Sequence, residues 1–167
     1  MNMRVSRRQL RRIIQEIAIS DSDEKDVHVF TNDLDPTMTV MVIYPENPRY
    51  PDVVPLFDQK GHGFLANDRL MVVDGDTLDQ DWFTADHLYV MQAHELGHKL
   101  AGHLKGARQG HSDEKIEREA DWLGYNILQQ RGINSAAALH QEEYQARYGS
   151  LPKDDDYLMM HLIDHVK

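Results

Sequence analysis

The sequence predicts an α+β fold in which a small, mainly antiparallel sheet is followed by a helical half. Through the first half of the chain, β-branched and apolar residues alternate with polar ones, the period of a strand exposed on one face. After Asp74 the apolar spacing lengthens to that of a helix. The length of 167 residues allows one compact domain with a core and is too short for two. A hydrophobic share of 41% and a charged share of 28% belong to a globular chain, which excludes wholesale disorder.

The elements follow in order. Ser6 caps an expected helix over residues 7–19, with Leu10, Ile13, Ile14 and Ile17 on one face and arginines on the other. The acidic stretch over residues 21–26 reads as a linker, so residues 1–26 form an arm and residues 27–167 the domain. The arm either docks its apolar stripe on the domain or acts as a detachable tag. Residues 27–44 carry two strands joined by a turn at residues 32–36, and Pro45, Pro48 and Pro51 then break regular structure. Residues 64–73, with Asn67-Asp68 inside, read as a second hairpin. Thr84 caps a long helix reaching to about His103, with Tyr89, Ala93, Leu96 and Leu100 at helical spacing. The next helix starts at Ser112, where Asp113 and Glu114 suit the helix dipole, and stops at Gly132. Its buried seam is Ile116, Ala120, Leu123 and Ile127. Two further helices are expected over residues 135–147 and 153–166, divided by Gly149 and Pro152.

Charge and composition narrow the function classes. The net charge is −10, yet Arg4, Arg7, Arg8, Arg11 and Arg12 fall in the first twelve residues and all 28 acids lie beyond them. Such a body repels a nucleic-acid backbone, so no direct nucleic-acid binding is expected. With no cysteine there is neither a disulfide framework nor a thiolate metal site, and His and carboxylate are the strong metal ligands left. No apolar run reaches the length of a membrane span and no secretory signal is evident, so a cytoplasmic location is expected.

The chemistry concentrates in His94-Glu95-Leu96-Gly97-His98, an HExxH. Histidines at i and i+4 lie on one helix face, so both imidazoles reach one metal ion, and the glutamate between them points alongside as a general base toward a water. A catalytic zinc takes three protein ligands. The metzincin third histidine is excluded, because Ala101 and Leu104 stand where that pattern needs Gly and His. The second helix offers Glu117-Arg118-Glu119-Ala120-Asp121 instead, an ExxxD pattern with a ligand glutamate and an aspartate that supports an imidazole. Glu117 and Glu119 lie about 200° apart around a helix, so only one faces the metal, whereas Glu117 and Asp121 share a face. His111, just ahead of that helix, is the rival third ligand.

The segments HELGHKLAGH at residues 94–103 and IEREADWLGYNIL at residues 116–128 resemble the ImmA/IrrE family of zinc peptidases, as do Trp82-Phe83-Thr84 and the small preceding sheet. The resemblance spans residues 27–131. It implies a minimal zincin-like, gluzincin-type unit in which His94, His98 and Glu117 bind Zn2+, Glu95 is catalytic and Asp121 stands behind a ligand. The family includes proteases that cleave phage-type repressors. Asp121 where the family often has Asn, and Leu123-Gly124 where it commonly has Phe-Ala, are departures, and the repressor substrate is not carried over.

The expectation is therefore a zinc metallopeptidase acting on a protein or peptide. The alternative is a non-catalytic, metal-stabilised binding or regulatory module, which has no need of Glu95 beside the ligands. Candidate oxyanion partners are Tyr125, His103, His111, His140 and Tyr148. His28, His62, His87, His161 and His165 are expected to be structural, and His103 to sit at a helix C-terminus favoured by the dipole. Gly97 and Gly102 are expected to make room for the second helix.

Overall fold

A computed structural model describes residues 27–45, 51–105 and 112–155. The expected arm at residues 1–26, and the last expected helix beyond Asp155, lie outside the described residues.

Four strands, β1 (Val27–Thr31), β2 (Thr39–Ile43), β3 (Gly63–Asn67) and β4 (Leu70–Asp74), form one sheet in the order β1-β2-β4-β3. The two outer pairings are antiparallel and β2 and β4 run parallel, so the sheet is mixed, with two of its three pairings antiparallel. The reason is the connection. After β2 the chain passes through helix α1 (Val54–Lys60) and the outer strand β3 before β4 returns beside β2. The central strands read as unbroken apolar runs, Val40, Met41, Val42, Ile43 and Leu70, Met71, Val72, Val73, because both of their faces are covered. Met41, Ile43, Phe64 and Val72 pack against Val53, Leu56 and Phe57 at α1. Nothing in the proline-rich stretch announces α1 except Pro55 in its first turn and Gly61 at its end, which is the usual asymmetry of helix termini.

On the opposite face, Val40, Val42, Met71 and Val73 pack against Val90, Ala93, Leu96, Ile127 and Leu128. These come from α3 (Ala85–Leu100) and α4 (Asp113–Gln130); a short α2 (Gly75–Leu78) precedes them and α5 (Asn134–Tyr148) follows. Single 3-10 turns occupy His103–Lys105 and Pro152–Asp154. At the start of α3, the Thr84 N–H donates to His87 Nδ1 at 3.2 Å, which gives His87 a capping role. At α4, Ser112 Oγ accepts the Lys115 N–H at 3.3 Å, and Asp113 and Glu114 occupy the first turn. Lys99 Nζ reaches Asp35 Oδ2 at 2.5 Å, and the buried Gln92 accepts the Asp33 N–H at 2.8 Å, so α3 is stapled to the loop joining β1 and β2. Among the described residues no helix is long and apolar enough to cross a membrane.

The helix α3 ends at Leu100, short of His103. Gly102 has φ +72°, a left-handed value that costs a side-chain-bearing residue about 1 kcal/mol or more. Its N–H donates to the Lys99 carbonyl at 3.1 Å, and its left-handed conformation turns the chain at the end of the helix. Gly97 packs against α4. A Cβ placed there would overlap the carbonyl oxygen of Ala120, and one placed at Gly124 would lie 3.0 Å from the backbone carbonyl of Ala93. Two helices thus touch backbone to backbone at reciprocal notches, Gly97 on Ala120 and Gly124 on Ala93. Gly97→Ala gains about 1 kcal/mol of helix propensity, yet the backbone beneath it cannot swing aside as a side chain would. The expected net effect is a loss of roughly 1–3 kcal/mol, seen as a fall in Tm of several degrees. A thermal melt showing an unchanged or raised Tm would mean that the two helices are not in backbone contact.

Candidate functional site

The helix α3 presents His94 and His98 one turn apart, with their Nε2 atoms separated by 3.0 Å. Facing them from α4, Glu117 places Oε2 3.3 Å from His94 Nε2 and Oε1 3.5 Å from His98 Nε2. These three residues form a group whose donor atoms all lie within 4.8 Å of one another. Donors held about 2.0–2.2 Å from a tetrahedral zinc are about 3.3 Å apart. The spacing and the nitrogen and oxygen chemistry of the trio therefore fit such an ion. Glu95 is buried, and its Oε1 lies 4.0 Å from His94 Nε2.

Each imidazole has a partner on its far nitrogen. Asp121 Oδ1 sits 2.7 Å from His94 Nδ1, and Asp121 Oδ2 accepts from Arg147 Nη1 at 2.8 Å and from the Tyr148 hydroxyl at 2.5 Å. His98 Nδ1 lies 2.8 Å from His103 Nδ1, and His103 Nε2 lies 3.1 Å from Glu119 Oε2. Glu117 therefore faces the pair of Nε2 atoms while Glu119 points behind His98, as their angular separation on the helix requires.

The electrostatics favour a positive charge here. Burial works against a charged His94, but the hydrogen bonds it donates to Asp121 and Glu117 outweigh it and push the imidazole well above its ordinary range. Hydrogen bonds from His94 and His98 hold Glu117 far below the usual carboxylate range despite its partial burial. Burial alone would raise Asp121, yet the bond and the charge of His94 bring it down to about 2. Burial dominates at His98 and pushes it down. A centre that stabilises a proton on His94 between two carboxylates is equally disposed toward a metal cation.

The site opens into a cleft of about 290 Å³. Trp82, Phe83, Val90 and Met91 supply an apolar wall, and Arg147 is the one Lys or Arg side chain among the described lining residues. Trp82 is 54% exposed and meets the His87 ring edge-on at 5.2 Å. Gly63, at the start of the outer strand β3, also lines the cleft.

Several expected roles change. Of the oxyanion candidates, Tyr125, His103, His140 and Tyr148 do not line the cleft, whereas Arg147, which the sequence reading passed over, does. Tyr125 donates to Gln141, and Tyr148 is committed to Asp121. His140 is buried, and burial pushes its pKa down to about 4. His103 is not a mere helix terminus but stands behind His98. His62 lines the cleft and lies 2.8 Å from Thr77 Oγ1. His28 packs edge-on to Tyr44. His111, the rival ligand, lies outside the described residues, as do His161 and His165. Arg147 had a legible signal after all: counted at 3.6 residues per turn, it falls seven residues, two turns, after the buried His140 and so on the same face of α5. Comparison of the chain with protein-family models, curated proteins and solved structures gave no match.

Proposed function

We propose that this chain is a zinc-dependent metallopeptidase with a minimal zincin-like architecture, in which His94, His98 and Glu117 hold the ion and Glu95 is the general base. The observation that carries this reading is the convergence of two imidazole nitrogens and a carboxylate at 3.0–3.5 Å, beside a buried glutamate, in an open cleft. When bound, zinc supplies a Lewis acid that acidifies water and polarises a carbonyl. Against a purely structural metal stands the exposure of Glu117, whose side chain is 47% accessible, where a closed four-ligand site would bury its ligands.

The chain's own residues divide the remaining work. Glu95 takes a proton from the attacking water as its oxygen bonds to the peptide carbon, and delivers that proton to the amine nitrogen as the C–N bond breaks. Arg147 uses one N–H on Asp121 and has further donors of its fork to offer a substrate oxygen. Among the described residues β3 is the last strand on its side of the sheet, so its outer backbone groups are placed to pair with an extended peptide. The apolar wall of Trp82, Phe83 and Met91 then receives a side chain near the scissile bond.

The test is metal analysis coupled to an assay on an unfolded protein substrate. About one zinc per natively purified chain is expected, with hydrolysis that a chelator abolishes and added zinc restores. Folded chain that is metal-free and still hydrolytic would overturn the reading.

A further inference from the structure

Glu119 is a carboxylate with no accessible surface, lying beyond the reach of any substrate. Removing a carboxylate from water costs several kcal/mol, so its place in the fold calls for a partner. His103 Nε2 stands 3.1 Å from Glu119 Oε2, its side chain only 5% exposed, and its other nitrogen meets His98 Nδ1 at 2.8 Å. The left-handed turn at Gly102 is what folds His103 back over the helix it has just left.

With His103 neutral, the protons along this row have one arrangement. A carboxylate oxygen accepts, so His103 donates from Nε2 and keeps a bare Nδ1. That bare nitrogen accepts the Nδ1–H of His98, which frees the Nε2 lone pair of His98 for a metal held together with Glu117 and His94, in place of the N–H that Nε2 offers Glu117 without one. The reverse tautomer of His103 would place two N–H groups against each other or force the His98 proton onto Nε2. His94 gets the same result from Asp121 in one step; His98 needs two, because a glycine turn and a second imidazole lie between it and its acid.

We infer that His103 and Glu119 are positioning residues, a carboxylate–imidazole relay that fixes the tautomer and orientation of His98 for metal binding. This rests on the metal-site reading above. One helix, α4, then serves both histidines: Glu117 as ligand, Asp121 behind His94, and Glu119 behind His103.

The test compares His103→Asn with His103→Leu in the full chain. The two side chains have nearly the same shape, but Asn places its Oδ1 where His103 has Nδ1, so it can still accept from His98, and Leu cannot. Zinc affinity, measured by competition with a chromophoric chelator, should fall about 10–100-fold in His103→Leu and recover most of that loss in His103→Asn. Equal losses in both variants, or none in either, would overturn the relay. Should either variant fail to fold, long-range 15N correlation spectra of the zinc-loaded wild-type chain decide: His103 carrying its proton on Nε2 supports the relay, and a proton on Nδ1 overturns it. Failure of the wild-type chain to bind zinc would instead overturn the metal reading, and with it the relay's purpose.

Discussion

Glu95→Gln should retain about one zinc per chain while peptide hydrolysis falls roughly 100- to 10,000-fold, the range for loss of a general base. The substitution preserves shape in a buried position, so packing changes little; Glu95 is only 6% exposed and lies on the same helix as both histidines. What changes is the capacity to accept a proton. The amide cannot take one from water and has none of the right acidity to return to the leaving amine. Glu95 is absent from the metal-donor trio, so the ion should stay. Measuring zinc content and turnover on the same preparation separates the roles. Turnover within tenfold of wild type would exclude Glu95 as the base, and loss of zinc would make it a ligand.

Glu117→Ala attacks the other half of the assignment. It leaves two imidazoles where three donors converge, and the affinity loss should exceed the roughly 100-fold typical of removing an outer partner of a ligand. Because binding to the folded state alone is stabilising, the Tm of the zinc-loaded variant should also drop to near that of its metal-free form. His111→Ala is the paired control and should alter neither quantity. Retention of zinc in Glu117→Ala together with its release in His111→Ala would reverse the choice of third ligand.

Much of the helical half was legible because its signals are local. Thr84 and Ser112 stand at the starts of α3 and α4, and the four-residue spacings of His94 with His98 and of Glu117 with Asp121 put each pair on one helix face. The convergence of Glu117 on the histidines required only that the two helices pack, which Gly97 and Ala120 allow. The sheet was half legible. Strand positions follow from residue pattern, but the parallel pairing of β2 with β4 depends on where α1 and β3 carry the chain, and no short window encodes that. The Glu119–His103–His98 row was hidden for a similar reason. In the sequence Glu119 is only the glutamate turned away from the metal when Glu117 faces it, and its contact with His103 forms after the turn at Gly102, which no helical spacing encodes.

The backbone contact between α3 and α4 carries one more implication. Glu117, Glu119 and Asp121 span little more than one turn of a single rigid rod, and every histidine they serve lies on or just beyond the other rod. If α4 slips or rotates, the three acids leave together; none can be lost while the others stay in register. A partly loosened molecule then loses the whole site at once, so any hydrolytic activity that the proposed centre carries would be disarmed by the same damage that would otherwise make it indiscriminate.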